Sequence, residues 1–429
     1  MLVITLGLVT KKSVVKTLHP MEENFWVNYD ILFDPEDMPV VEEYEPEMLQ
    51  SSLEKCDFVI TNVHKLYNRS ENSLLSRVKN DFFDMVIIDE AHHSVATTWQ
   101  DALEYFSSAK KLHLTGTPYR GDGKDIPGEP IHTTQLSEVM RMKLVKGLRN
   151  ATINNNEIYF TIKDDDKRYS IDEVIKLKDK EWVEKSVALS KECSVDVIKE
   201  SIKELKKIKE ISTKVPHKIL AIACSIVHAQ DVALWYEEMG QNVIIIHSKM
   251  SKEDRDKNLL DIEEHKCDVV VSVDMLKEGY DHRYLSVLAI FRPYRSKNAF
   301  AQIVGRVLRI IPEEEVTDYG IDNNACVVYH EEIGLDKMWN DFKREVAKST
   351  IPPKEYPDYE FSDREYTERS SLYGGIETGE AFVADKDSFL GDIDFNQMFE
   401  DAKRDIENNV NETFNTMMKN VNLDEETKK

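Results

Sequence analysis

Two adjacent carboxylates close an apolar run in Phe83-Asp84-Met85-Val86-Ile87-Ile88-Asp89-Glu90-Ala91-His92. A short run rich in β-branched residues reads as a buried parallel strand. Ligands of open α/β sheets bind just beyond the carboxyl ends of such strands, so Asp89 and Glu90 stand where a nucleotide can sit. Asp89 is placed to hold Mg2+, a cation that takes oxygen ligands and keeps several waters. Glu90 is placed to orient and deprotonate an attacking water. Taken alone, the stretch has a plainer reading as a solvated strand end.

Further stretches carry groups of matching chemistry. Thr115-Gly116-Thr117-Pro118 follows the next apolar run and forms a turn at the same sheet edge. In Gln302-Ile303-Val304-Gly305-Arg306-Val307-Leu308-Arg309, the spacing predicts a helix with Gln302, Arg306 and Arg309 on one face. Two guanidinium forks on one face suit a phosphate chain, and Gly305 allows close backbone approach. Lys277-Glu278-Gly279-Tyr280-Asp281 offers a tight turn at Gly279 and an acceptor at Asp281, and by itself reads equally as an ordinary turn. Ser225, at a strand end, can bond a nucleic-acid phosphate.

The elements that must position these residues alternate. Residues 1–124 predict strands at Leu2–Thr5, Asp57–Thr61, Phe83–Ile88 and Lys111–Leu114, separated by crossover segments, with 34–47 an acidic, proline-containing surface loop. Residues 125–215 read as an α+β insertion or linker, with a strand at Glu157–Ile162 and one helical pattern from Glu181 to Ile208. Residues 216–335 alternate again, with strands at Ile219–Cys224, Val243–His247, Val269–Val273, Val287–Phe291 and Cys326–Tyr329 and N-caps at Ser251 and Ser296. Residues 336–429 form an acidic extension, loop-rich at 382–397. The expected class is α/β, two doubly wound parallel-sheet lobes.

Composition sets bounds. A chain of 429 residues, 41% hydrophobic and 32% charged, builds two or three packed domains. Five cysteines without metal-ligand or CxxC spacing read as reduced thiols, and no apolar run is long enough to span a membrane, so a cytoplasmic protein is expected. The net charge of −24 argues against a simple nucleic-acid binder. Its distribution weakens that objection, because residues 11–60 hold 4 basic and 12 acidic side chains and residues 351–429 hold 9 and 20. The remainder is nearly balanced and leaves room for a basic groove.

In this order and at these intervals, the motifs resemble those of superfamily-2 helicases and translocases of the DEAH type. Within that superfamily the likeness is greatest to the motor (Res) subunits of type III restriction enzymes and related defence proteins, over about residues 1–335. The resemblance implies two RecA-like lobes with ATP and Mg2+ between them. Asp89 and Glu90 would act as above, Arg306 and Arg309 would clamp the phosphates, and His92 and Gln302 would couple the lobes. Gly279, Asp281 and Gly305 would line the nucleotide site, and Thr61, His64, Thr115, Gly116, Thr117 and Ser225 would touch or couple to a nucleic-acid strand, DNA before RNA. A protein partner in a restriction or defence complex is a further implication. One departure stands out. The family's Gly-x-x-x-x-Gly-Lys-Thr/Ser loop, whose amides and lysine cradle phosphates, is absent from the 429 residues, and Gly121-Asp122-Gly123-Lys124 has the wrong spacing. The expectation is a first lobe without its initial strand and phosphate loop. The chain is then a fragment of a motor, a non-catalytic binding module or split-motor subunit completed by a partner, or a decayed copy. The split-subunit reading predicts an exposed apolar face near Met1–Val9.

Overall fold

The computed structural model describes residues 1–5, 8–22, 25–66, 73–91, 97–116, 126–134, 136–162, 167–273, 282–340, 373–388 and 403–404. The first sheet has five strands: β1 (Leu2–Thr5), β2 (Val41–Glu43), β3 (Phe58–Asn62), β4 (Met85–Ile88) and β5 (Lys110–His113). They lie in the order β2-β3-β1-β4-β5 and every pair is parallel. The central strands β1, β3 and β4 are covered on both faces, which is why they read as continuous apolar runs. Leu2, Ile4, Val59, Val86 and Ile88 face a core with Trp99 and Phe106, and Val3, Val41, Phe58 and Ile60 face the helix Leu8–Leu18 and Trp26.

Two expectations for this region need correction. The loop expected over 34–47 contains β2, an edge strand too short and too acidic to show a strand pattern. The exposed apolar face expected near Met1–Val9 is not found in its described part. Leu2–Thr5 are buried, because β1 is central and pairs with both β3 and β4.

The second sheet has seven strands. β6 (Gly147–Asn155), β9 (Lys218–Ile222), β10 (Val243–His247), β11 (Val269–Val273), β12 (Leu285–Ile290), β13 (Asn324–His330) and β15 (Ala381–Ser388) lie in the order β10-β11-β9-β12-β13-β6-β15. All pairs are parallel except β15 with β6. A small antiparallel sheet joins β7 (Ile158–Ile162) to β8 (Arg168–Ser170) and to β14 (Tyr373–Thr378). The caps expected at Ser251 and Ser296 form, accepting from the amides of Asp254 and Ala299. No helix among the described residues is long and apolar enough to cross a membrane.

The regions read as insertion and extension contribute to this lobe. β6, expected in a linker, pairs with β13 along its length, and β15, expected as loop, pairs with β6. The single helix expected from Glu181 to Ile208 is two, Lys180–Leu189 and Lys191–Ile211. The break falls at Ser190, whose hydroxyl caps the second helix by accepting from the Cys193 amide at 3.0 Å. The polar composition of β6 hid it. Arg149 is buried against Glu204 of the helix Lys191–Ile211, and Asn155 bonds Asp196, the Gly379 carbonyl and His330.

Burial alone would push the Glu204 carboxyl up, but Arg149 and Lys207 outweigh it and hold it at about 2. A carboxyl lowered from 4.5 contributes stability above that value and loses it as the pH falls toward 2. Glu204→Ala strands Arg149 in the core and is expected to cost about 3–5 kcal/mol at pH 7. Urea unfolding between pH 7 and pH 3 checks this. The wild type loses stability over that window, and the variant loses measurably less.

Candidate functional site

The site is built where the first sheet's strands end. The Asp89 amide donates to the Ile4 carbonyl at 3.0 Å, and the Leu114 amide donates to the Ile88 carbonyl at 2.8 Å. The Ala91 amide donates to the Leu114 carbonyl at 2.9 Å. The ladder thus runs past β4 on both sides and holds the acidic turn to β1 and to the segment after β5. Glu90 has φ +53°, the left-handed region. That reversal drops Ala91, fully buried, into the core beneath the turn while Glu90 stays partly exposed.

Burial raises the Asp89 carboxyl above its ordinary range, and the Glu90 amide, donating to Oδ1 at 3.0 Å, partly offsets it. A half-buried carboxylate whose one described hydrogen bond comes from a neighbouring amide suits a divalent cation, which restores the charge balance that burial removes. Thr115 is partly buried and Gly116 exposed, with nothing within 4 Å of the place a Cβ would take. Thr117 and His92 lie outside the described residues, as do Gly279, Asp281 and the side chain of His64.

Thr61, the last residue but one of β3, is fully buried. Its hydroxyl donates to the Asn62 carbonyl, and its own carbonyl accepts from the Thr5 hydroxyl. It therefore braces the sheet edge from within. Its neighbour Asn62, not singled out from the sequence, accepts from the Lys65 amide at 3.1 Å and starts the turn that carries His64.

In the second lobe, Ser225 caps the helix Ile226–Glu238 by accepting from the His228 amide at 3.2 Å. The ring of His228 accepts in turn from the Cys224 amide, and burial lowers this histidine to about 4. Gln302 is half-buried on the helix Lys297–Gly305. The expected continuation to Arg309 is not seen. The helix stops at Gly305, Arg306 is the cap residue, and Arg309 is exposed and forms an antiparallel bridge with Val145. Glycine is a weak helix former, and Val307, Leu308 and Ile311 turn into the core instead. Arg306 and Arg309 thus share no helical face.

One other constellation has a catalytic look. The His217 ring bonds Ser286 Oγ and Asp322 Oδ1, each at 2.7 Å. All three side chains are buried among packed strands, and the Lys146 ammonium also donates to Ser286. No substrate reaches that hydroxyl, so the network serves the fold.

Comparison with known proteins agrees with this geometry. Residues 6–120 match the family model for the type III restriction enzyme res subunit, and residues 200–311 match the helicase conserved C-terminal domain. The chain belongs to the superfamily-2 helicases. Within them it is related to the type III restriction motor. The chain is 27% identical over 323 residues to a 51.5 kDa protein of a Lactococcus phage, covering 70% of this chain and 65% of that one. It is 23% identical over 252 residues to the DNA 3′-5′ translocase XPB2 of Sulfurisphaera tokodaii, covering 53% and 56%. A fragment assigned as the HsdR subunit of a type I restriction enzyme from Vibrio vulnificus YJ016 shares the RecA-like fold. Its TM-score is 0.50 at 19% identity, over 78% of this chain and 61% of that one. The chain thus spans between about half and two thirds of these proteins' lengths.

The left-handed backbone at Glu90 is costly for any residue with a Cβ, about 1–2 kcal/mol. Glu90→Gly is therefore expected to be more stable than Glu90→Ala by roughly 1 kcal/mol. At an ordinary strand end the order is reversed. Thermal unfolding of the two variants decides the point.

Proposed function

We propose that this helicase is the motor of a DEAH-type, ATP-dependent machine that moves on nucleic acid, DNA in the first instance, in the cytoplasm. The observation that carries the reading is the backbone tie between the two loops at the first sheet's edge. Leu114 bonds Ile88 and Ala91, the residues on either side of Asp89-Glu90, so a change at the nucleotide side would reach the segment that leads into Thr115 and the loop facing a strand.

In this reading Asp89 holds Mg2+, as its burial and raised carboxyl suit it to do. Glu90 orients the attacking water and takes its proton. Arg306, at the end of its helix, reaches the phosphates, while Arg309, on the exposed bridge, acts from a separate position. Gln302, Gly305 and the motif at Gly279 and Asp281 line the nucleotide, with His92 coupling the lobes. ATP supplies the phosphoryl bond whose cleavage drives the cycle. Thr115, Gly116 and Thr117 meet the strand together with His64 and Ser225, while Thr61 supports that edge from inside. Phosphate contacts dominate such binding and make it salt-dependent.

Two experiments test this. Whatever hydrolysis the helicase shows with Mg-ATP and single-stranded DNA is expected to fall at least about 100-fold in Glu90→Gln and about 1,000-fold in Arg306→Ala. Strand-stimulated turnover that survives in Glu90→Gln contradicts the assignment. For Ser225, alanine removes the cap and is expected to cost about 1 kcal/mol, glycine only a few tenths. If the hydroxyl also bonds a phosphate, both variants weaken DNA binding equally in a fluorescence titration. If binding tracks stability instead, Ser225 is a cap alone.

A further inference from the structure

The helix Lys191–Ile211 carries its charges in layers. Asp196, Glu200 and Glu204 lie on the inner side, their side chains 12%, 8% and 0% exposed. Each holds the lysine three residues on, Lys199 at 3.1 Å and Lys203 and Lys207 at 2.8 Å. The Glu204 carboxylate also takes Arg149, on its other oxygen. The carboxylates are thus inside and the ammonium groups outside. Lys206 is exposed and enters no ion pair or hydrogen bond among the described residues. These four lysines line a groove of about 390 Å3 against Met239, the cap residue of the helix Ile226–Glu238. Ile202 and Met239 are its apolar part, and Glu210 is the one carboxylate in its lining. In a chain of net charge −24, such a groove calls for an occupant that is both acidic and partly apolar.

We propose that the chain's own C-terminal segment, residues 389–429, covers this groove with one face of an amphipathic helix. Of that segment the structure describes 403–404. Its sequence carries ten acidic and five basic side chains. Phe399, Ile406, Val410, Phe414, Met417 and Val421 recur at the spacing of one helical face, and Glu400 and Glu407 flank that face. The apolar face matches Ile202 and Met239, and the carboxylates match the lysine rim. The fold also delivers the segment to the right place. β15 ends at Ser388, paired with Arg149, and Arg149 and Lys207 share the Glu204 carboxylate. A helix is about 10–12 Å across and an extended chain covers about 3.3–3.6 Å per residue. A few residues beyond Ser388 therefore carry the chain over the helix to the groove. Exposed ion pairs are individually weak, but a tether of this kind supplies an effective concentration in the millimolar range. A nucleic-acid strand would meet the lysines while leaving Ile202 and Met239 without apolar cover. This contact does not rest on the motor reading.

The test follows amide hydrogen exchange over residues 399–421 in the full chain. Wild type is compared with Lys203→Glu/Lys206→Glu and with Lys206→Arg, and thermal unfolding checks that each variant is folded. The expected result is protection in wild type, exchange at least about fivefold faster in the charge-reversed variant, and no change in Lys206→Arg. Lys206→Glu alone removes no described ion pair and is expected to shift exchange in the same direction. Wild-type amides exchanging at the rate of an unstructured peptide overturn the proposal. So does protection that is equal in wild type and the charge-reversed variant. A zero-length carbodiimide crosslink is then read by mass spectrometry in an equal mixture of 15N-labelled and unlabelled chains. Glu400 or Glu407 joined to Lys203 or Lys206 within one isotope supports the contact. Joins that mix isotopes assign the groove to a second copy and overturn it. Single-stranded DNA binding lost in Lys203→Glu/Lys206→Glu, with exchange over 399–421 unchanged, assigns the groove to nucleic acid and also overturns it.

Discussion

Everything at the candidate site depends on three backbone hydrogen bonds that continue a parallel ladder beyond its strands. Side chains alone cannot hold two adjacent carboxylates at fixed height above a sheet, because like charges repel and long acids are flexible. The bonds from Asp89 to Ile4, from Leu114 to Ile88 and from Ala91 to Leu114 do so through the main chain. They take up buried polar groups that would otherwise be orphaned, and they force the reversal at Glu90 that exposes its side chain while burying Ala91. The strain is local and the ladder supports it on both sides, the pattern expected where backbone geometry serves chemistry.

The second lobe meets a different constraint. Its sheet is wide, and the middle of a wide sheet has no water to satisfy polar groups. One cluster of buried polar side chains there is answered by specific partners. Lys146, lowered to about 7 by burial, donates to the carbonyls of Arg283 and Leu285 and to Ser286, and Ser286 and Asp322 flank His217. Burial keeps that histidine lowered although Asp322 opposes it. These networks tie β6, β9, β12 and the turn before β13 together, so strands distant in sequence are registered by polar matching as well as by apolar packing.

The same contrast explains what sequence patterning revealed. Strands such as β11 announce themselves because every residue is buried and both faces meet apolar layers. The acidic turn after β4 stands out because two adjacent carboxylates close an apolar run, although that stretch taken alone reads equally as a solvated strand end. β6 and β15 do not stand out, since their polar residues mimic a loop until Glu204, Asp196 and His330 are placed opposite them. The helix end at Gly305 was missed for a related reason. Helical spacing continues through Arg309, and only the burial of Leu308 and Ile311 shows that the chain has turned inward. The left-handed Glu90 had no signal, because glutamate is not a residue that favours that conformation.

The most direct test of the account is a crystal structure of the protein with Mg2+ and a non-hydrolysable ATP analogue. The account predicts the cation within about 2.1 Å of an Asp89 carboxylate oxygen, with the phosphates between the acidic turn and the Arg306 guanidinium. Nucleotide seated away from both residues, or Mg2+ bound without Asp89, would contradict it.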